Sequence, residues 1–383
     1  MKNRNALKII IATLVFGALG ASEARTKLTT LPERDMIRID LRGNSQALAE
    51  EERTVNLQKG KNRVEFAWAG ARIHKDSIQI RPIRSPGKVA VINVNYPPGE
   101  QALFWEVYSQ KAGPAIFRIS YLIANIRRVY SYEAIVDRAE KTMLLKSYFT
   151  LSNMSGEKFK NAHLSIRFGK GTRKTLRAGE ARKILAARFK NTPFVKAYRY
   201  DRRRTGKHVR MYYEIKNSGG KLGKQALPSG KARVYQTDSS GGEAFIGEDW
   251  GRYTPRGKTM SLFMGLAREV KVKRVMYRSR KVYTKKPVYD RKQVIRFQVE
   301  NFKDAAVPLK LREHPGGEWT LDKIVLKEET GERNEKKERV VSHAGKVRTK
   351  RIDVHNLETI FHVPPTRNKK YNLYLHLTLK NRW

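Results

Sequence analysis

Glu248 and Asp249 stand side by side next to Trp250. Paired carboxylates serve acid–base chemistry when their surroundings split their pKa values. On an extended strand, however, adjacent side chains point to opposite faces. Arg233, Arg252 and Arg256 also lie near enough in sequence to neutralise them, so a charged turn or strand end is the favoured reading. The eight histidines are the next groups to weigh, because imidazole binds metals and titrates near neutral pH. His355 and His362 lie near Asp353 and Glu358, and the pattern puts His362 and His376 on neighbouring strands. Their spacing matches no ligand motif. H-E-x-x-H is missing, and a chain without Cys has no thiolate ligands or Cys nucleophile. Gly169-Lys170-Gly171-Thr172-Arg173-Lys174-Thr175 has the glycines of a phosphate loop but not G-x-x-x-x-G-K-[ST]. No G-x-S-x-G elbow occurs. The expectation is a protein with no catalytic set, no metal and no cofactor.

Two basic tracts interleaved with aromatics carry the main interaction signal. Tyr198 to Tyr213 contains Arg199, Arg202, Arg203, Arg204, Lys207 and Arg210 among Tyr198, Tyr200, Tyr212 and Tyr213. Arg268 to Lys292 holds eleven bases and two acids, with Tyr277, Tyr283 and Tyr289. Its candidate binding residues are Lys271, Lys273, Arg274, Arg278, Arg280, Lys281, Lys285 and Lys286. Bases neutralise phosphates or carboxylates, and rings stack on bases or sugars. A solvated strand face, with Tyr as an ordinary strand former, explains the same residues more plainly. The whole chain is basic: 80 Lys plus Arg against 36 Asp plus Glu, a formal charge of +44 over 383 residues. Such a balance bears on partners and solubility rather than on fold. It points to an anionic envelope or extracellular polymer, or an acidic protein, and disfavours sequence-specific nucleic-acid recognition.

The elements that must position these residues read as strands. Apolar residues alternate at Ile37, Ile39 and Leu41; Val64, Phe66 and Trp68; Ile78 and Ile80; Leu164, Ile166 and Phe168; Ile295, Phe297 and Val299. Leu373, Leu375, Leu377 and Leu379 alternate most cleanly, which predicts one buried and one wet sheet face. Turns separate the runs at Asn95 to Gly99, Asn153 to Gly156, Ser239 to Gly242 and Pro315 to Gly317. Leu176 to Lys190 predicts one short helix, within a basic linker or excursion over 169–208. The balanced charges of Lys327 to Arg339 predict a hairpin tip or short helix. With 40% apolar residues the chain is too hydrophobic for disorder. At about 100–200 residues per domain it holds two or three cores. The expected fold is all-β: two or three consecutive β-sandwich-like domains over 25–115, 116–205 and 206–383, with one short helical or linker excursion.

Residues 1–24 read as a secretory signal. Lys2, Arg4 and Lys8 form a positive start, Ile9 to Leu19 an apolar stretch, and Ser22-Glu23-Ala24 a small-residue cleavage site before Arg25. That stretch is shorter than the roughly 20 residues of a membrane helix, and no later segment is apolar enough to span. The expected address is the periplasm, cell surface or extracellular space. Without disulfides, stability there must come from packing.

From about Phe117 onward the chain resembles the domain of unknown function 4139, a family of mostly exported bacterial proteins. Leu227-Pro228-Ser229-Gly230-Lys231-Ala232-Arg233-Val234-Tyr235 matches its "LPxGxxRVY", and Phe245-Ile246-Gly247-Glu248-Asp249 its "FIGED". Tyr253-Thr254-Pro255 and Gly265-Leu266-Ala267 follow in the order of its "HTPxxE" and "GxAxDV". Asn153-Met154-Ser155-Gly156, Pro315-Gly316-Gly317-Glu318-Trp319 and Phe361 to Pro365 are similar to further family turns and hairpins, and residues 36–110 to its strand-rich lead-in. Tyr253 stands where His is usual, Lys258 where an acid is usual, and Arg268-Glu269-Val270 replaces "x-D-V". The resemblance implies an all-β fold and export, and no reaction.

Three functional expectations follow. A non-enzymatic envelope or surface protein that docks anionic material fits best. A subunit of a surface layer or filament, assembling by strand addition, is the second. An uncharacterised enzyme, with Glu248 and Asp249 as its best candidates, is the third.

Overall fold

The computed structural model describes residues 27–41, 46–165, 171–285, 287–330, 337–340, 347–366 and 369–383. The signal read over 1–24, Ile166 and Phe168, the Gly169-Lys170 start of the loop-like motif, and Lys286 lie outside them. The described chain is all-β, with helix confined to the single turn Arg202–Thr205 and two short 3-10 turns. No described helix is long and apolar enough to cross a membrane.

Two compact units divide the chain. One takes in the described residues up to Ile126, with Asn153–Ser165 and Gly171–Gly179; the other takes in Arg127–Ser152 and Glu180–Trp383. The segment 116–205 thus contributes strands to both units.

The first unit is a sandwich of a six-stranded and a four-stranded sheet. Alternation along Met36–Asp40 buries Ile37 and Ile39 and leaves Arg38 exposed, as a one-faced strand must. Phe66 of the small sheet lies 5.7 Å from Trp105 on its own sheet and 5.7 Å from Tyr121 on the other. The stacked rings fill the space between layers. Glu51 is fully buried in this unit. It is held by Arg34, by Arg53 at 2.8 Å, and by the Tyr121 hydroxyl at 3.3 Å. Burial and the neighbouring Glu51 charge both push the Tyr121 phenol up. The Asn153 turn forms as its residues predict: the Asn153 amide donates to the carbonyls of Glu157 (2.7 Å) and Arg177 (3.2 Å). Gly156 there has φ +85°, and a Cβ on it would meet the Gly70 carbonyl oxygen at 2.0 Å.

The second unit has three sheets. A six-stranded one runs in the order Thr259–Ala267, Val209–Lys216, Val195–Asp201, Val307–Glu313, Asn356–Val363 and Val347–Asp353. Tyr198, Tyr200, Val209, Leu309, Leu311 and Phe361 on its inner face share a core with Val272, Phe297, Trp319 and the leucines of Lys369–Arg382. Those belong to a five-stranded sheet ordered Val270–Lys285, Val288–Asn301, Lys369–Arg382, Trp319–Thr330 and Lys337–Val340. Tyr213, Ile215, Leu262 and Met260 pack in a second core with Tyr132, Ala134, Leu145, Ala232 and Val234 of the remaining sheet. In that sheet Gly230 pairs with Tyr130, whose carbonyl oxygen would stand 2.4 Å from a Cβ at 230.

Three expectations are corrected. Leu176 to Lys190 is not a helix: Glu180–Pro193 is a 14-residue strand at the edge of its sheet. Most of its side chains are exposed, so no buried stripe of either period marks it, and pairing with the neighbouring strand decides its conformation. The described part of 169–208 is accordingly sheet, with strands Thr172–Leu176, Glu180–Pro193 and Val195–Asp201 and only the Arg202–Thr205 turn helical. Finally, Lys369–Arg382 has no fully wet face. Asn372, Tyr374 and Thr378 are buried opposite the leucines. The Tyr277 ring covers Tyr374 at 5.4 Å, and Glu329 accepts from Asn372 at 2.7 Å. The strands on either side of 331–336 pair as an antiparallel hairpin, Thr330 opposite Lys337.

Candidate functional site

Strand Val195–Asp201 runs antiparallel to Val209–Lys216 on one side and parallel to Val307–Glu313 on the other. With Tyr198 and Tyr200 in the core, Arg199 and Asp201 point outward. The register sets Arg199 directly opposite both Arg210 and Lys310. Three cations therefore form one row across three adjacent strands, an arrangement that is repulsive on its own. Glu214 answers part of it, accepting from Lys310 at 2.8 and 3.0 Å and from Arg199. Burial opposes ionisation of Glu214, but these two donors outweigh it and hold its carboxyl below the usual range. Arg199 also donates to Ser261 Oγ at 2.8 Å and lies 4.2 Å from the Tyr212 ring centre. Arg210 sits 5.3 Å over the Phe263 ring. Arg312 is 3.0 Å from Glu358, and Asp201 lies 2.8 Å from His314 Nε2 and 3.8 Å from Arg204. Of these residues, Arg199, Asp201, Arg204, Arg210, Lys310, Arg312 and Glu358 line a cleft of about 310 Å³, with Tyr212 as a wall.

A larger groove, about 1040 Å³, opens at the margin of the same sandwich. Arg202 and Lys207 come to it from the first basic tract; Arg268, Lys271, Lys273 and Arg274 come from the second. Glu300 is its one acidic lining residue, and Val209, Leu266, Val270 and Val272 are among its apolar ones. Arg274 is committed elsewhere, to Glu313 at 2.6 and 2.8 Å. Arg202, Lys207, Arg268, Lys271 and Lys273 are exposed, and none is ion-paired to a described carboxylate. Lys271 lies 5.1 Å over the Phe302 ring.

The two tracts thus converge in part. Arg202, Lys207, Lys271, Lys273 and Arg274 meet at the groove, whereas Arg199, Arg204 and Arg210 line the separate cleft. Arg203, Arg278, Arg280 and Lys281 are exposed but line neither, and Lys281 lies 4.3 Å over the Tyr289 ring. Lys285 ends its strand, and Lys286 is outside the described residues. Sequence reasoning placed Arg268 in its basic tract without singling it out, and missed Lys310 and Arg312. Val307–Glu313 carried a usable signal, because its bases alternate with Leu309 and Leu311 and must face outward.

The acid pair separates. Glu248, exposed, accepts from Lys231 at 2.8 Å and Arg233 at 3.2 Å, which hold its carboxyl below the usual range. Asp249 instead accepts the Phe263 backbone N–H at 2.7 Å. The two carboxylates therefore share no site. His362 and His376 are not on neighbouring strands: one lies in the six-stranded sheet, the other in the five-stranded sheet. Among the described residues no group of three His, Asp or Glu is placed to hold a metal.

No protein-family model matches the chain, and no curated protein matches it.

Proposed function

We propose that this chain is an exported, non-enzymatic β-sandwich protein of the cell envelope or surface that binds or scaffolds anionic polymer through the groove of the second unit. One observation carries the reading: five exposed bases from two sequence-distant tracts line one groove without carboxylate partners, against the single acid Glu300. Such bases exchange their counterions for the charges of a polyanion. The apolar lining suits the rings of a sugar or similar backbone between charges. The signal-like start and the resemblance to the domain of unknown function 4139 support export.

Light scattering of the chain from Arg25 to Trp383, titrated with dextran sulfate at two salt concentrations, tests the reading. Expected is saturable association at low salt that high salt reverses. Association that ignores salt, or none at either salt, overturns it.

The edge position of the 16-residue strand Val270–Lys285 favours a second reading, a layer or filament subunit that grows by strand addition. Its bases repel a second copy, so growth requires the polyanion. Ordered assemblies in the same titration identify this reading; a complex holding a single protein chain excludes it.

A further inference from the structure

We propose that the cleft on the outer face of the six-stranded sheet is a binding site for a phosphomonoester dianion, separate from the polymer groove. Arg210 lines the cleft and its neighbour Val209 lines the groove. Adjacent strand residues face opposite ways, and the two sites share only Tyr200 among their lining residues, so their bases can be changed separately.

Three observations carry the inference. The first is the cation row Arg210–Arg199–Lys310, placed in direct register. Like charges opposite one another cost stability, and a bound anion between them reverses the sign of that interaction. The second is incomplete satisfaction. Arg199 Nε is buried and has no hydrogen-bond partner. Arg210 has only the Phe263 ring, with no described carboxylate in ion-pair range. Arg210, lining the cleft, holds the donors a ligand oxygen needs. The third is charge. Five bases line the cleft, Arg199, Arg204, Arg210, Lys310 and Arg312. Three carboxylates touch them, Asp201, Glu214 and Glu358. The surplus matches a dianion.

The chemistry of the donors narrows the class. Guanidinium forks fit the oxygens of a phosphate in pairs, and four of the five bases are arginines. A phosphomonoester carries nearly two charges at neutral pH, whereas a sulfate ester carries one. At about 310 Å³ the cleft is at the small end of ligand pockets. It holds a phosphate with a small organic group, for which Tyr212 offers a ring wall.

The test is calorimetric titration of the purified chain with inorganic phosphate, a hexose 6-phosphate and a hexose 6-sulfate at fixed ionic strength, pH 7.5. Expected is one phosphate ligand per chain, with the hexose phosphate binding at least tenfold more tightly than the hexose sulfate. Tighter binding of the hexose phosphate than of inorganic phosphate supports the ester; the reverse order makes free phosphate the ligand and overturns the ester. Arg210→Gln, which loses a ring contact and relieves the repulsion of the row, should weaken binding at least tenfold with an unfolding midpoint in ligand-free buffer no lower than the parent's. If that variant does not fold, Arg204→Gln at a 74% exposed side chain takes its place. Lys273→Gln, in the groove, should leave phosphate affinity within twofold. Absence of stoichiometric binding, equal affinity for phosphate and sulfate esters, or equal losses from the cleft and groove variants would each overturn the proposal.

Discussion

Arg274 grips Glu313 as a fork: Nε donates to one carboxylate oxygen at 2.6 Å and an Nη to the other at 2.8 Å. The side chains are 12% and 11% exposed. Arg274 belongs to the edge strand of the five-stranded sheet and Glu313 to the six-stranded sheet, so the pair ties the two layers of the sandwich. A residue that reads in sequence as a polyanion binder is thereby a structural one. Arg274→Ala leaves Glu313 nearly buried and unpaired, and the expected loss is about 3 kcal/mol of stability. Urea unfolding measures it. A stability change below the reproducibility of the midpoint would contradict this role.

The exposed groove bases should behave in the opposite way. Lys271→Gln with Lys273→Gln should leave the urea midpoint within about 0.5 kcal/mol of the parent. Their effect should fall on polyanion binding, where the plot of log affinity against log salt becomes shallower by about one unit per base removed. An unaltered slope would place the polymer elsewhere on the surface.

Glu214 sets an acid limit for the second unit. Its carboxyl is held below the usual glutamate range, burial opposing and the Lys310 and Arg199 donors prevailing. A depressed folded pKa adds stability above the unfolded value, and that part is lost as pH falls through the folded value. Thermal midpoints should therefore drop below about pH 4.5. Glu214→Gln should be less stable than the parent at pH 7, with the difference shrinking toward pH 3. A constant difference across that range would rule out Glu214 as the source.

Gly156 should tolerate no side chain. Its φ of +85° and the Gly70 oxygen 2.0 Å from a Cβ position forbid even alanine without displacing backbone. Gly156→Ala should cost the first unit about 2–3 kcal/mol. The fluorescence of buried Trp105 reports that unit during unfolding. An unchanged midpoint would mean that the turn is free to shift.

The all-β class was legible because strand alternation is local geometry. Ile37 and Ile39, or Leu373 through Leu379, announce an inward face whatever they pack against. The Asn153 to Gly156 turn was legible for the same reason, since it rests on residues that tolerate its backbone angles. The strand Glu180–Pro193 was not, because an exposed edge carries no buried stripe and its alanines suit a helix equally well. Likewise, the far side of Lys369–Arg382 is buried by Tyr277 and Glu329, which no pattern within that strand contains.

The sequence by itself determined the sign of the protein's net charge, because Coulomb energies sum over all 80 bases and 36 acids in whatever order they occur. Only the tertiary structure decided which bases are taken up in ion pairs and which stay exposed without them. Glu313 takes Arg274, and Glu214 takes Lys310 and Arg199. Arg202 and Lys207 meet Lys271 and Lys273 at one groove. Ion pairing acts over a few ångströms, and sheet register, not chain order, brings those groups within reach.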